Sequence, residues 1–252
     1  MRGIAGKINQ LRKMLLYGPR YSSASYIRRM NRLGARIDES VWLQTPESIF
    51  LDDTNPFLLE IGRNVKIAAG VSILTHDACW HVMMGNDGQI RGHVAPVKIG
   101  SNVFIGMNSI ILCNVSICAN VIISAGSVVT THLRTPGVYA GNPAKLVVPY
   151  AEYTAMREGR QVREAYTLAK AYYQRFGKKP PEELFKEYFW LFAPRDIDAL
   201  PRVFMEQLQC CGNDQQAADA FLSSQPDFAD FDAFWAYCMA KMRKETEKNV
   251  QN

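Results

Sequence analysis

A chain of 252 residues, 48% of them hydrophobic and 21% charged, can form one sizeable domain and a smaller one, which excludes an intrinsically disordered protein. Its apolar runs are far shorter than the roughly 20 residues that cross a bilayer, and its N-terminus lacks a cleavable signal pattern, so we expect a cytoplasmic location. Six cysteines without paired spacing predict reduced thiols, and the formal net charge is +5.

Residues 1–36 form the first predicted segment, which is basic and helical. They hold nine Lys and Arg residues and no Asp or Glu. Apolar residues from Ile4 to Leu16 recur at helical spacing until Gly18 and Pro19 end the pattern. Such a segment is compatible with an anionic membrane, a phosphorylated substrate or a nucleic acid, and equally with a solvated helix face. We expect no nucleic acid and hypothesise weak peripheral association with membranes.

The second segment, residues 37–149, repeats every six residues. An aliphatic side chain recurs without a miss at Ile99, Ile105, Ile111, Ile117, Ile123 and Val129. A small or β-branched residue follows each of the first five by four positions, at Val103, Ser109, Val115, Val121 and Ser127. This strict repeat is typical of a parallel β-helix, in which each short strand buries one aliphatic side chain and successive coils stack. A sandwich would repeat at roughly 8–12 residues instead.

The same period appears upstream in another phase. Aliphatic residues occupy that frame at Ile61, Ile67 and Ile73 and, more loosely, at Ile37, Leu43 and Ile49. Ile73 and Ile99 are 26 residues apart, which is four repeats plus two. We therefore place an inserted loop at residues 77–96, with its tip at the turn-forming residues 85–88. A loop of this length within a regular scaffold is usually functional.

The third segment, residues 150–252, returns to helical patterns. We predict a charged helix over residues 151–176, a second over 182–192, and a last one through the aromatic run between Asp227 and Met242. The aromatic side chains are expected to pack in a core. We assign no site to this segment.

Three stretches of the repeat region resemble the hexapeptide-repeat acyltransferases, which include maltose and galactoside acetyltransferases and the enzymes that O-acetylate capsular polysaccharide. These stretches are residues 97–109, 124–131 and 140–145, and the likeness extends back to residues 73–77. The resemblance implies a mainly β protein with added helices: a left-handed parallel β-helix, short N-terminal helices and a helical C-terminal region. It also implies a homotrimer with active sites between neighbouring coils.

The resemblance further implies acetyl-coenzyme A, or another acyl-coenzyme A, as co-substrate. The histidine before the inserted loop, here His76, would be the base. Coenzyme A would lie along the coil edge beside five residues: Met107, Ala125, Thr130, Thr131 and Lys145. The chain departs from the family where Cys113-Asn114 replaces Pro-Gly and where Thr131 replaces a lysine.

Acyl transfer to a hydroxyl requires a base for the hydroxyl proton and donors for the developing oxyanion. His76 lies where the repeat breaks, so it faces a cleft and suits the first role. Asp77, Trp80 and His81 are expected to contact the acceptor. Asp77 is badly placed to orient His76, since adjacent residues of an extended chain point to opposite faces. Cys79 is an alternative nucleophile, but the resemblance implies direct transfer.

We favour transfer of an acetyl group to a saccharide hydroxyl, and other functions stay open. One is N-acylation of an amino sugar or antibiotic. Another is a zinc enzyme similar to the γ-carbonic anhydrases, with His76, His81 and His93 as ligands. That family takes its first histidine from an earlier coil, and this chain has none before His76, so we expect no metal. A non-catalytic β-helix scaffold is the last alternative.

Overall fold

The computed structural model describes the backbone of residues 2–250 and the side chains of residues 9–248. By its internal contacts the chain divides into two compact units, Met1–Tyr153 and Thr154–Asn252. None of the helices in the described range is long and apolar enough to span a membrane.

The first unit is a left-handed parallel β-helix in which each full coil has three short strands. Coil 1 contains β1 (Arg36–Ile37), β2 (Trp42–Leu43) and β3 (Phe50–Leu51), and coil 2 contains β4 (Leu59–Ile61), β5 (Lys66–Ile67) and β6 (Ser72–Ile73). An insertion with β7 (His76–Asp77) and β8 (His93–Val94) follows. Coil 3 contains β9 (Val97–Ile99), β10 (Val103–Ile105) and β11 (Ile110–Ile111), and coil 4 contains β12 (Val115–Ile117), β13 (Val121–Ile123) and β14 (Val128–Val129).

Strands at the same position in successive coils pair in parallel and form three faces of a prism. Face A has the order β1-β4-β9-β12, and face C has the order β14-β11-β6-β3. Face B contains β2, β5, β10 and β13, and it is completed by β15 (Gly137–Ala140) and the antiparallel β16 (Lys145–Pro149). The inward aliphatic side chains stack in register, as Ile67, Ile105 and Ile123 do on face B, and they are buried.

Asparagine makes the corners of the prism. Five asparagines have left-handed backbones with φ between 52° and 60°: Asn64, Asn102, Asn108, Asn114 and Asn120. Asparagine tolerates this conformation better than most side chains. This tolerance explains how Cys113-Asn114 can replace the family's Pro-Gly at its corner.

The register of coil 1 corrects the upstream repeat frame. Leu51, and not Ile49, pairs with Ile73, because a 3₁₀ turn at Pro46–Ser48 lengthens the corner before β3. Ile49 is buried as well, so its apolar character concealed the shift. The residue that leaves coil 1 at the end of face C is therefore Asp52.

Two helices precede the first coil, α1 (Arg2–Tyr17) and α2 (Ser23–Arg32). α2 lies against coil 1, and its side chains accept one backbone N–H hydrogen bond from each of the three strands of that coil. Asn31 Oδ1 accepts from Ile37 at 2.8 Å, Ser23 Oγ from Leu43 at 3.0 Å, and Tyr26 Oη from Leu51 at 3.1 Å. α1 exposes Leu11, Leu15 and Leu16.

The outward side chains differ between faces. On face A they are Arg36, Glu60, Lys98 and Ser116, in that order across the sheet. Glu60 pairs with Arg36 at 3.8 Å and with Lys98 at 3.5 Å. On face B the outward positions of coils 1 and 3 hold Trp42 and Phe104, which stay 48% and 44% exposed. Face A is thus polar, and face B exposes aromatic side chains.

The insertion is a β-hairpin with a helix at its tip. β7 and β8 pair antiparallel, with His76 opposite Val94 and Asp77 opposite His93. Between them lies α3 (Trp80–Asp87), which ends at Gly88 in a left-handed conformation. The chain returns to face A at Val97.

The second unit has its own core of buried aromatic side chains, among them Phe185, Phe192, Phe204, Phe221 and Phe234. Its helices differ from two of our predictions. The charged helix is two helices, α4 (Tyr150–Glu158) and α5 (Gln161–Phe176), separated at Gly159 and Arg160. The helix predicted over residues 182–192 is a pair of 3₁₀ turns, Glu182–Phe185 and Phe189–Leu191, because Phe185, Phe189 and Phe192 are all drawn into the core. α6 (Arg202–Leu208), α7 (Asp214–Ser223) and α8 (Phe231–Val250) complete this unit.

Candidate functional site

His76 lies at the corner where the chain leaves face C of coil 2 and enters the insertion. Its side chain is 34% exposed. Its Nδ1 is 2.6 Å from Oδ2 of Asp52, which occupies the equivalent corner of coil 1. The stacking of β3 on β6 brings these two residues together across 24 positions of sequence.

Asp52 is fully buried and its carboxylate is held by several donors. Oδ2 accepts the Thr75 amide at 2.9 Å and the Thr75 hydroxyl at 2.8 Å, and Oδ1 accepts the Thr54 amide at 3.0 Å. Burial alone would raise the pKa of Asp52, but these hydrogen bonds and the one from His76 outweigh it and hold the pKa well below its usual range. Asp52 is therefore a fixed anion under the imidazole ring.

A carboxylate at Nδ1 determines what the ring can do. It fixes the tautomer with the proton on Nδ1, so Nε2 is the nitrogen that accepts a proton from another molecule. It also stabilises the imidazolium that forms when Nε2 takes that proton. The pair of Asp52 and His76 has the arrangement that a general base with an orienting carboxylate requires.

Asp77 points to the other side of the hairpin, as expected for the residue that follows His76. Its Oδ2 is 2.5 Å from Nδ1 of His93, and the Sγ of Cys113 is 3.7 Å from both ring nitrogens of His93. Hydrogen bonds from the Cys79 thiol and amide and from His93 lower the pKa of Asp77 to about 2. Asp77, His93 and Cys113 have ligand atoms within 4.8 Å of one another.

The other candidate residues of the loop, Cys79, Trp80 and His81, lie at the start of α3. The rings of Trp80 and His81 are stacked with centroids 3.7 Å apart, and His81 Nδ1 is 2.9 Å from the Ala78 carbonyl. Cys79 is exposed. Its thiol donates to Asp77, and this bond to an anion raises the pKa of the thiol. A thiol held in its protonated form is a poor nucleophile, so the geometry disfavours Cys79 as the attacking group.

The five residues that resemblance assigns to coenzyme A are all exposed, but they lie at different places on the prism. Met107 and Ala125 are neighbours at the corner between faces B and C, where the Gly126 amide donates to the Met107 carbonyl at 2.8 Å. Gly106 permits this close stacking, because a Cβ there would come within 2.5 Å of the Ala125 nitrogen.

Thr130 and Thr131 follow β14 and lie at the corner between faces C and A, which is the corner of His76 two coils further along. Lys145 begins β16, where it pairs with Ala140 of β15. Within one chain, face C therefore separates Met107 and Ala125 from His76. A site that uses all of these residues requires more than one edge of the prism.

Sequence reasoning missed Asp52 and assigned His76 no partner. In the observed register Asp52 follows Leu51, the partner of Ile73, and so lies beside Thr75 and His76; the upstream repeat frame, which has Ile49 in place of Leu51, conceals this. The zinc alternative is not supported by the geometry, since His76, His81 and His93 do not form a ligand group among the described residues. The group that does form is Asp77, His93 and Cys113.

Both the sequence and the fold resemble those of known proteins. Residues 96–131 match the family described as bacterial transferase hexapeptide (six repeats). Protein CapG of Staphylococcus aureus is 36% identical over 126 residues, which are 50% of this chain and 72% of CapG.

Two solved structures have similar folds. A maltose O-acetyltransferase from Clostridium difficile 630 aligns with 58% of this chain and 87% of its own, at 23% identity and a TM-score of 0.42. The hexapeptide-repeat containing acetyltransferase VCA0836 from Vibrio cholerae aligns with 60% of this chain and 93% of its own, at 17% identity and a TM-score of 0.41.

Proposed function

Because the chain belongs to the hexapeptide-repeat acyltransferases, we propose that it transfers an acetyl group from acetyl-coenzyme A to a hydroxyl of a saccharide. His76 is the general base in this proposal. The observation that carries it is the 2.6 Å contact between His76 Nδ1 and the buried carboxylate of Asp52.

The reaction is direct and needs no acyl-enzyme. Nε2 of His76 takes the proton of the acceptor hydroxyl as its oxygen attacks the thioester carbonyl. The tetrahedral intermediate then collapses, the carbon–sulfur bond breaks, and the imidazolium returns the proton to the leaving thiolate. Asp52 stabilises the imidazolium between these two proton transfers. An amine acceptor would follow the same steps and give an amide.

The donor side of the proposed site is the exposed coil edge. Met107 and Ala125 offer backbone groups to the pantetheine arm, and Thr130, Thr131 and the cation of Lys145 offer contacts to its phosphates. Trp80 and His81 stand on the loop beside His76 and would form one wall of the acceptor site, whereas Asp77 points away from His76 to His93 and would support the loop instead. The stacked rings of Trp80 and His81 suit a sugar, whose C–H face packs well on aromatic surfaces.

A homotrimer would account for the separation of the donor side of the proposed site from His76. His76 of one subunit and the Met107 edge of a neighbour would then line the same cleft. The aromatic side chains that face B exposes, Trp42 and Phe104, supply an apolar surface for such an association. We place the enzyme in the cytoplasm, where acetyl-coenzyme A is made, with the three exposed leucines of α1 as a weak membrane contact.

The decisive experiment removes the base. We expect His76→Ala to lower turnover by about 10²–10⁴-fold while the KM for acetyl-coenzyme A changes little. Thiol release from acetyl-coenzyme A would be followed with a panel of saccharide and amino-sugar acceptors.

His132→Ala is the matched control, because His132 lies on the same corner and only accepts the Ser116 amide, at 3.0 Å. It should retain wild-type turnover. Full activity of His76→Ala on an accepted substrate would refute the base assignment. An equal fall in turnover in both variants would show that the substitutions disturb the structure of this corner and do not remove a specific catalytic group.

A further inference from the structure

We propose that Asp77, His93 and Cys113 bind a transition-metal dication of the zinc type at the base of the inserted hairpin. This site is separate from the pair of Asp52 and His76, and it does not depend on the proposed acyl transfer.

The three residues come from different parts of the chain and converge for different reasons. Asp77 and His93 face each other across the β7–β8 pair, while Cys113 belongs to the corner of coil 3. Cys113 is buried at 8% exposure with its sulfur toward His93.

The donor set matches the chemistry of zinc. Thiolate, imidazole and carboxylate are its three usual protein ligands, and three of them with an open fourth position form a familiar arrangement. Zinc–sulfur and zinc–nitrogen bonds of about 2.3 and 2.0 Å at a tetrahedral angle put the two donors about 3.6 Å apart. Cys113 Sγ is 3.7 Å from each nitrogen of His93, so the distance suits a shared ion, but the ring would have to turn to direct the lone pair of one nitrogen at that ion.

Asp77 and His93 would have to move apart slightly. Their 2.5 Å contact is a hydrogen bond, and a shared metal ion would replace the proton between them. Binding would also release the thiol proton of Cys113 to solvent, so occupancy should rise with pH. Burial and, after it, the nearby carboxylate of Asp77 raise the pKa of the Cys113 thiol, so the ion itself would have to displace the thiol proton.

A metal here would fix the hairpin to the coil. Asp77 is adjacent to His76, and His93 is one residue before Val94, which pairs with His76. An ion that joins Asp77 and His93 to Cys113 therefore ties both hairpin strands to coil 3 next to the base. Its role would be to hold the loop.

Cobalt reports on this site without any assay of activity. The full chain would be stripped of metal with a chelator, titrated with Co²⁺ alone, and followed by its thiolate-to-cobalt absorption band. We expect one Co²⁺ per chain. The absorption band should be lost in Cys113→Ser, and His93→Gln should bind Co²⁺ at least tenfold more weakly than the wild type.

Cys79→Ser and Cys118→Ser are the controls, since both remove a thiol of the same unit outside the ligand set. Both should keep the band and the one-to-one stoichiometry. Thermal unfolding supplies a second measurement: Zn²⁺ should raise the Tm of the wild type and leave that of a folded Cys113→Ser protein unchanged. No stoichiometric Co²⁺ binding, or a band that survives Cys113→Ser or disappears in Cys79→Ser, would overturn the assignment.

Discussion

Asp52 and His76 follow the third strands of two successive coils, and their side chains meet at 2.6 Å because those strands stack in register. The carboxylate is buried, and its amide and hydroxyl donors belong to the same two corners. The orientation of the His76 ring is thus fixed by the stacked coils.

Asp52→Asn tests this relationship. The amide keeps the shape but removes the charge that stabilises the imidazolium and fixes its tautomer, so we expect turnover to fall by about 10²–10⁴-fold. The KM for acetyl-coenzyme A should change little. Asp53→Asn is the matched control, because Asp53 is half-exposed and pairs with Arg29 at 2.9 Å. If Asp52→Asn were as active as Asp53→Asn, the carboxylate would have no part in catalysis.

The same substitution should change how stability depends on pH. The pKa of Asp52 is lower in the folded protein than in the unfolded chain, where it is about 3.9. The unfolded chain therefore binds the proton first as pH falls. The contribution of Asp52 to the free energy of unfolding is complete above about pH 5 and is lost as pH drops below about 4 toward the pKa of the folded state.

Urea denaturation between about pH 6 and pH 3 measures this contribution. The free energy of unfolding of the wild type should fall more steeply with acid than that of Asp52→Asn. At neutral pH the variant should be about 1–3 kcal/mol less stable, because its amide group faces donors that the carboxylate accepted. Parallel curves for the two proteins would contradict the pKa shift.

Lys145 should affect binding of the acyl donor. A charge contact to a remote phosphate is equal in the ground and transition states, so Lys145→Ala should raise the KM for acetyl-coenzyme A with little change in turnover. Lys145→Arg keeps the charge and serves as the control, with a KM near that of the wild type. A loss of turnover at an unchanged KM would show that Lys145 acts in the catalytic step and not in binding of the acyl donor.

Assembly can be tested on face B. Phe104→Glu places a charge at the outward position between Lys66 and Ile122. We expect it to shift the protein from a trimer, three times the chain mass of 28.4 kDa, to monomers in light scattering. Lys98→Glu lies in the same coil on the polar face A and should remain trimeric. A monomeric wild type would refute the trimer, and a trimeric Phe104→Glu would exclude face B as its interface.

The N-terminal helix offers a test of membrane association. Leu15 is 81% exposed in a segment rich in arginine and lysine. The wild type should bind vesicles that contain anionic lipid at low salt and be released by added salt, whereas Leu15→Glu should bind at least several-fold more weakly. Vesicles of neutral lipid are the control. Equal binding of the wild type and Leu15→Glu to anionic vesicles would show that the exposed leucines do not contribute to membrane association.

The sequence predicted the β-helix because each strand contributes one buried aliphatic residue at a fixed interval, and this pattern is visible without any partner strand. It led to His76 as the expected base because the repeat stops there, and that role stays a prediction. It did not reveal Asp52, since the partner of a corner residue is set by the stacking of coils and a longer corner at Pro46–Ser48 shifts that stacking. The 3₁₀ turns near Phe185 and Phe189 escaped prediction because the aromatic core of the second unit determines them.

α2 also has a consequence for solubility. The first coil of a β-helix carries open N–H and C=O groups on three sides, and such an edge can serve as a template on which another chain polymerises. Asn31, Ser23 and Tyr26 occupy one amide on each side. A chain in which α2 has come away would therefore present an open edge to other chains, and we expect this short helix to protect the protein from end-to-end aggregation.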